Sequence, residues 1–181
     1  MSAQRYGRVA MVLHWVLAFA LFGQLTLGWW MVTLPKSPPG LRAGWFNTHK
    51  SIGLTIAVAV LVRLLWRITH RVAVPSFLPA WQQRAARANH ALLYVFMVLI
   101  PLSGYLGSAL SGYPVRYFGI VLPAWATAWP AGKTVMSAVH FTCICTFMAL
   151  VLLHIGAALW HWKRRDGVAA RMGLPFALEH P

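Results

Sequence analysis

One stretch constrains this chain more than any other: Val139 to Trp162, VHFTCICTFMALVLLHIGAALWHW. It is long and apolar enough to cross a bilayer as a helix, yet it carries His140, His154 and His161. At ~100° per residue, the step from His140 to His154 closes to within ~40° of whole turns, and the step from His154 to His161 to within ~20°. Phe147 falls midway on the same line, so one helix face reads His, Phe, His, His. At ~1.5 Å of rise per residue, His140 and His154 stand ~21 Å apart, one toward each side of a hydrocarbon core ~30 Å thick. Imidazoles at such depths are costly and mark function. The spacing predicts a helix that gives one axial ligand to each of two haems.

Composition agrees with a membrane setting. Of 181 residues, 59% are hydrophobic and 10% charged, with two acidic residues, Asp166 and Glu179, and a formal net charge of +14. Soluble domains carry ~25% charged residues. The basic residues stand at the ends of apolar spans, which marks topology and lipid headgroup contact rather than nucleic-acid binding. Four spans are expected, at about 9–34, 46–66, 90–110 and 139–162, forming an all-α integral membrane four-helix bundle as a single domain over 1–181. The first apolar stretch is too long for a signal peptide and lacks a small-residue cleavage pattern, so no cleavage is expected. Residues 74–89 read as a connection, and SGYPVRYFGIVLPAWATAWPAGKT is too broken by Pro and Gly to cross.

Orientation follows from the 16 basic residues. Arg5, Arg8, Arg63, Arg67, Arg71, Arg84, Arg87, Lys163, Arg164, Arg165 and Arg171 fall on one side. Lys36, Arg42, Lys50, Arg116 and Lys133 fall on the other. The positive-inside rule puts both termini in the cytoplasm. Cys143 and Cys145 point ~200° apart on their helix and cannot bridge to each other, which leaves them packing roles.

Depth then sorts the histidines. His14 and His154 lie just inside the cytoplasmic boundary, whereas His49 and His140 open their helices from the outer face. Two neutral imidazoles at one level are what a six-coordinate b-type haem requires. Zinc fits less well, since neither level offers a Cys, Asp or Glu. Gly28, Gly53 and Gly156 are candidates for close backbone approach. His90 and His161 stand near the inner level, either facing lipid headgroups or flanking a pocket for a reducible headgroup. Arg63, one turn inside Arg67, snorkels or pairs with a haem propionate. The outer cations focus a small anion or contact lipid phosphates. His70 and His180 are expected to be solvated.

The segments RVAMVLHW, NTHKSIG with VRLLWR, HALLYVFMVLIPLSGY and VHFTCICTFMALVLLHIGAALWHW resemble the bacterial cytochrome b561 family over about 10–165. More distantly they are similar to the di-haem cytochrome b subunits of nickel–iron hydrogenases and formate dehydrogenases. The resemblance implies two haem b groups, one on His14 and His154 and one on His49 and His140, with a ubiquinone site near His90 and His161. It implies an electron carrier of the bacterial inner membrane. A superoxide oxidase branch of the family takes electrons from periplasmic superoxide to ubiquinone, and the short chain with a basic outer face resembles that branch. An oxidoreductase of that type is the leading expectation. A subunit serving a hydrogenase or another periplasmic dehydrogenase partner, and a non-catalytic haem or ion carrier, are the alternatives.

Overall fold

The computed structural model describes residues 6–37, 40–70 and 77–172. Arg5, Arg71, Glu179 and His180 lie outside these residues. Four helices carry the fold: α1 over Arg8–Met31, α2 over Leu41–Thr69, α3 over Ala80–Ala109 and α4 over Pro130–Arg164. All four are long and apolar enough to cross a membrane. The protein is an all-α four-helix membrane bundle. Its outward residues include Phe19, Phe22, Leu65 and Leu152, as expected where lipid rather than water is the solvent.

Three helices begin well before the expected spans. α2 starts at Leu41, just after Gly40, whose φ of 99° turns the chain in from the preceding loop. α3 starts at Ala80, immediately after Pro79. The segment AWQQRAARAN, expected as a connection, is rich in strong helix formers and extends the helix beyond the apolar run. α4 starts at Pro130, where the missing N–H costs nothing in a first turn. His49, His90 and His140 therefore sit two to three turns inside their helices rather than at their mouths.

Helix α3 packs most extensively on α4, α1 packs on α2, and α2 joins the two pairs, while α1 and α4 barely approach each other. The bundle is thus two helix hairpins joined along α2 and α3, with α1 and α4 less closely packed on the remaining side. A small core of Leu17, Ile56 and Val60, with Met97 packed against it, holds the α1–α2–α3 seam. Phe147 is 3% exposed, at mid-membrane on α4. Cys143 is buried and Cys145 exposed.

Between α3 and α4 the broken segment contains a small hairpin, β1 (Arg116–Tyr117) paired antiparallel with β2 (Ile120–Val121). Phe118 and Gly119 form its turn, both with positive φ, 44° and 92°, the pattern of a type I′ turn. Ser51 on α2 is 1% exposed. Its Oγ accepts the Phe118 N–H at 2.9 Å and donates to the Asn47 carbonyl at 2.8 Å. The hairpin is thereby fixed two residues from His49. At the other end, the Tyr6 N–H donates to the Arg171 carbonyl at 3.4 Å. Entry to α1 and exit from α4 therefore meet at one face of the bundle.

Candidate functional site

Side chains of four helices gather the histidines into two levels. At the inner level, the His14 ring of α1 and the His154 ring of α4 face each other with centroids 6.2 Å apart and planes at 67°. His90 of α3 joins them, its ring 5.4 Å from that of His154. Arg63 of α2 completes the level: Nη2 donates to His14 Nδ1 at 2.9 Å and Nε to the Tyr94 hydroxyl at 3.1 Å. Arg67 covers the face of the Tyr94 ring at 5.5 Å, a cation–π contact. A guanidinium only donates, so His14 Nδ1 is the acceptor here and the ring proton is on Nε2.

At the outer level stand His49 of α2 and His140 of α4. A helix that does not carry the ring backs each one with a glycine. A Cβ on Gly28 of α1 would stand 3.0 Å from His49 Cε1, and one on Gly104 of α3 would stand 2.9 Å from His140 Cε1. Any larger residue would push the ring away. His140 Nδ1 lies 2.8 Å from the Ile100 carbonyl, an acceptor only, so the ring donates through Nδ1 and leaves the Nε2 lone pair free. Ser103 Oγ adds a 3.3 Å contact to the same nitrogen. Pro101, inside α3, removes one rung of the backbone ladder beside this contact. His49 Nδ1 is buried with no partner among the described residues.

Residues 5–174 match the family described as prokaryotic cytochrome b561.

The chain belongs to the prokaryotic cytochrome b561 family.

It is 34% identical over 179 residues to cytochrome b561 homolog 2 of Escherichia coli (strain K12), covering 94% of this chain and 92% of that relative. It is 28% identical over 183 residues to cytochrome b561 homolog 1 of the same organism, covering 93% of this chain and 96% of that one. As a b561 cytochrome it is a membrane protein that binds haem b and transfers electrons across the membrane.

The residues present fit that cofactor. His14 and His154, with ring centroids 6.2 Å apart, are close enough that both would hold one haem iron through imidazole bonds of ~2 Å. At the outer level, the His140 Nδ1–H bond to the Ile100 carbonyl is the kind of contact that would fix the tautomer and orientation of a ligating imidazole. At the inner level, His14 would hold the group through Nε2 only with Arg63 released from Nδ1, and the anionic propionate of haem is an acceptor that would suit the freed guanidinium.

The sequence-derived glycines divide. Gly28 backs His49, Gly53 makes room for the Gln24 amide, and Gly156 meets nothing within 4 Å. Gly104 was not anticipated. Its signal is a glycine one turn beyond the proline of a membrane span. His90 sits beside His154 rather than His161, whose Nδ1–H donates instead to Asp166 Oδ2 at 2.6 Å. Asp166 stands just past the α4 C-cap, where Arg165 adopts φ 53°. It was legible only as an isolated acid in a basic chain. His70 is exposed yet stacks on Trp66 at 3.9 Å.

Proposed function

We propose that this cytochrome carries electrons from the outer face of the bacterial inner membrane to ubiquinone on the inner side, with both termini cytoplasmic. Superoxide is the donor that the basic outer face favours. The observation that carries the reading is the arrangement of imidazoles in two levels, His49 with His140 and His14 with His154, on helices whose ligating positions repeat at ~21 Å. Haem b, held at each level, supplies one-electron chemistry that side chains lack.

The chain's own residues do the rest. Gly28 and Gly104 let the outer rings lie against α1 and α3. The Ile100 carbonyl orients His140. Arg63 neutralises an anionic propionate at the inner level, and Phe147 fills the space between the levels with a buried aromatic ring, excluding water. His90 and His161 face the acceptor: His90 offers a hydrogen bond beside the inner pair, while His161, steadied by Asp166, delivers a proton from the cytoplasmic side as the quinone is reduced. Lys50 and Arg116 lie on the outer side with the His49 level and attract a small anion.

A redox-protein donor is the second reading, favoured by the outer hairpin. Phe118 is 62% and Ile120 67% exposed, an apolar tip suited to a protein surface. Stopped-flow mixing of the oxidised, haem-loaded protein with superoxide tests the choice. Fast haem reduction followed by reoxidation with ubiquinone is the expected result. Absent reduction by superoxide, with reduction by a periplasmic dehydrogenase partner, establishes the second reading. Reduced protein that ubiquinone does not reoxidise leaves the haem-carrier alternative.

A further inference from the structure

The outer histidines differ in one respect: His140 Nδ1 has its acceptor in the Ile100 carbonyl, whereas His49 Nδ1 is buried without a partner. A ligating imidazole that binds through Nε2 carries its proton on Nδ1, and that proton needs an acceptor. The Gly28 backbone lies against this edge of the ring, a Cβ there standing 3.5 Å from Nδ1. One turn earlier on the same face of α1 stands Gln24. Its Nε2 donates to the backbone carbonyl of His49 itself at 2.7 Å, and Gly53 leaves the amide only just enough room, 3.1 Å from a Cβ placed there. The other half of that amide, Oε1, is also buried without a partner. One acceptor and one donor thus stand unpaired on the same residue pair, in an interior where a polar group left without a partner is destabilising.

We propose that Gln24 is a positioning residue for His49: its amide oxygen takes the Nδ1 proton of that ring, directly after a small rotation or through one bridging water, and thereby sets the electron affinity of the outer haem. The proposal rests on His49 being an outer ligand. An acceptor on Nδ1–H makes the imidazole more basic and favours the oxidised metal. The amide, a neutral acceptor, does so moderately. A carboxylate at position 24 does so more strongly, and an aliphatic side chain not at all.

Redox titration of the purified haem-loaded protein tests this, with wild type, Q24L, Q24E and H49A compared and haem-to-protein ratios measured in each. H49A should lose one centre, which identifies the outer one. Q24L should raise the potential of that same centre and Q24E lower it. Each change should reach about tenfold in the oxidised-to-reduced ratio at fixed potential, which is ~59 mV for a one-electron couple. The other centre should stay in place. A purely structural role would lower haem content without shifts of opposite sign. If Q24E does not assemble, the upward Q24L shift, confined to the centre that H49A removes, carries the test. Unchanged potentials in a protein whose H49A variant lacks a centre overturn the role of Gln24 alone. H49A with both centres intact overturns the ligand assignment, and the proposal with it.

Discussion

The rings of His14 and His154 stand 6.2 Å apart between α1 and α4, two helices that scarcely touch otherwise. His90 lies still nearer to His154, at 5.4 Å. Three imidazoles therefore crowd a level where a single haem would need only two, and the division of labour among them is testable.

His14→Ala and His154→Ala should each leave a single b centre, with a haem-to-protein ratio near one. His90→Ala should keep both centres and slow quinone reduction. Reduced-minus-oxidised spectra with haem quantitation check this, and loss of a centre in the His90 variant would make His90, not His14, the partner of His154.

Gly104→Leu should remove the outer centre while the helices still form. The added side chain must occupy the space of the His140 ring, since even a Cβ there lies 2.9 Å from Cε1. Overpacking of this kind costs ~1–3 kcal/mol, which the fold relieves by displacing the ring. Circular dichroism unchanged beside a halved haem content is the expected pair of results.

His161→Ala should slow reduction of ubiquinone with both haem spectra intact, and Asp166→Asn should do so less severely. An asparagine keeps an acceptor for Nδ1–H, but without the charge that makes such a bond roughly twice as strong. Pre-reduced protein mixed with quinone reads both rates. Unchanged rates in the His161 variant would return this side chain to a headgroup contact.

Ser51→Ala should loosen the outer hairpin without disturbing the four helices. It deprives the Phe118 N–H of its acceptor at 2.9 Å, a loss of ~0.5–1.5 kcal/mol for a typical hydrogen bond. Faster amide exchange at Phe118, with the helix interiors still protected, is the measurement.

Much of this architecture is legible in sequence because a membrane imposes simple rules. Apolar length fixed the number of helices, and the 14-residue step from His140 to His154 divided the site into two levels. Helix ends were less legible. Beyond the hydrocarbon boundary, propensity rather than hydropathy decides, and Ala80–Asn89 and Pro130–Ala138 continue their helices there. Contacts between helices were least legible. That Gly104 faces His140, that His90 leans on His154, and that Arg63 reaches His14 all depend on helix rotation, which hydropathy does not encode. The bond between His161 and Asp166 depends on a left-handed residue at Arg165 turning the chain back, which nothing in that arginine announces.

The open seam between α1 and α4 has a consequence for how the protein is made. Its two hairpins meet chiefly along α2 and α3, so a haem held at each proposed pair, His14 with His154 and His49 with His140, would tie one hairpin to the other. A ligand that binds only when both hairpins are in place adds its binding free energy to their association. Cofactor delivery and helix assembly then form one thermodynamic event. Cells short of haem should accumulate this chain as separable hairpins exposed to proteolysis, rather than as an empty but finished bundle.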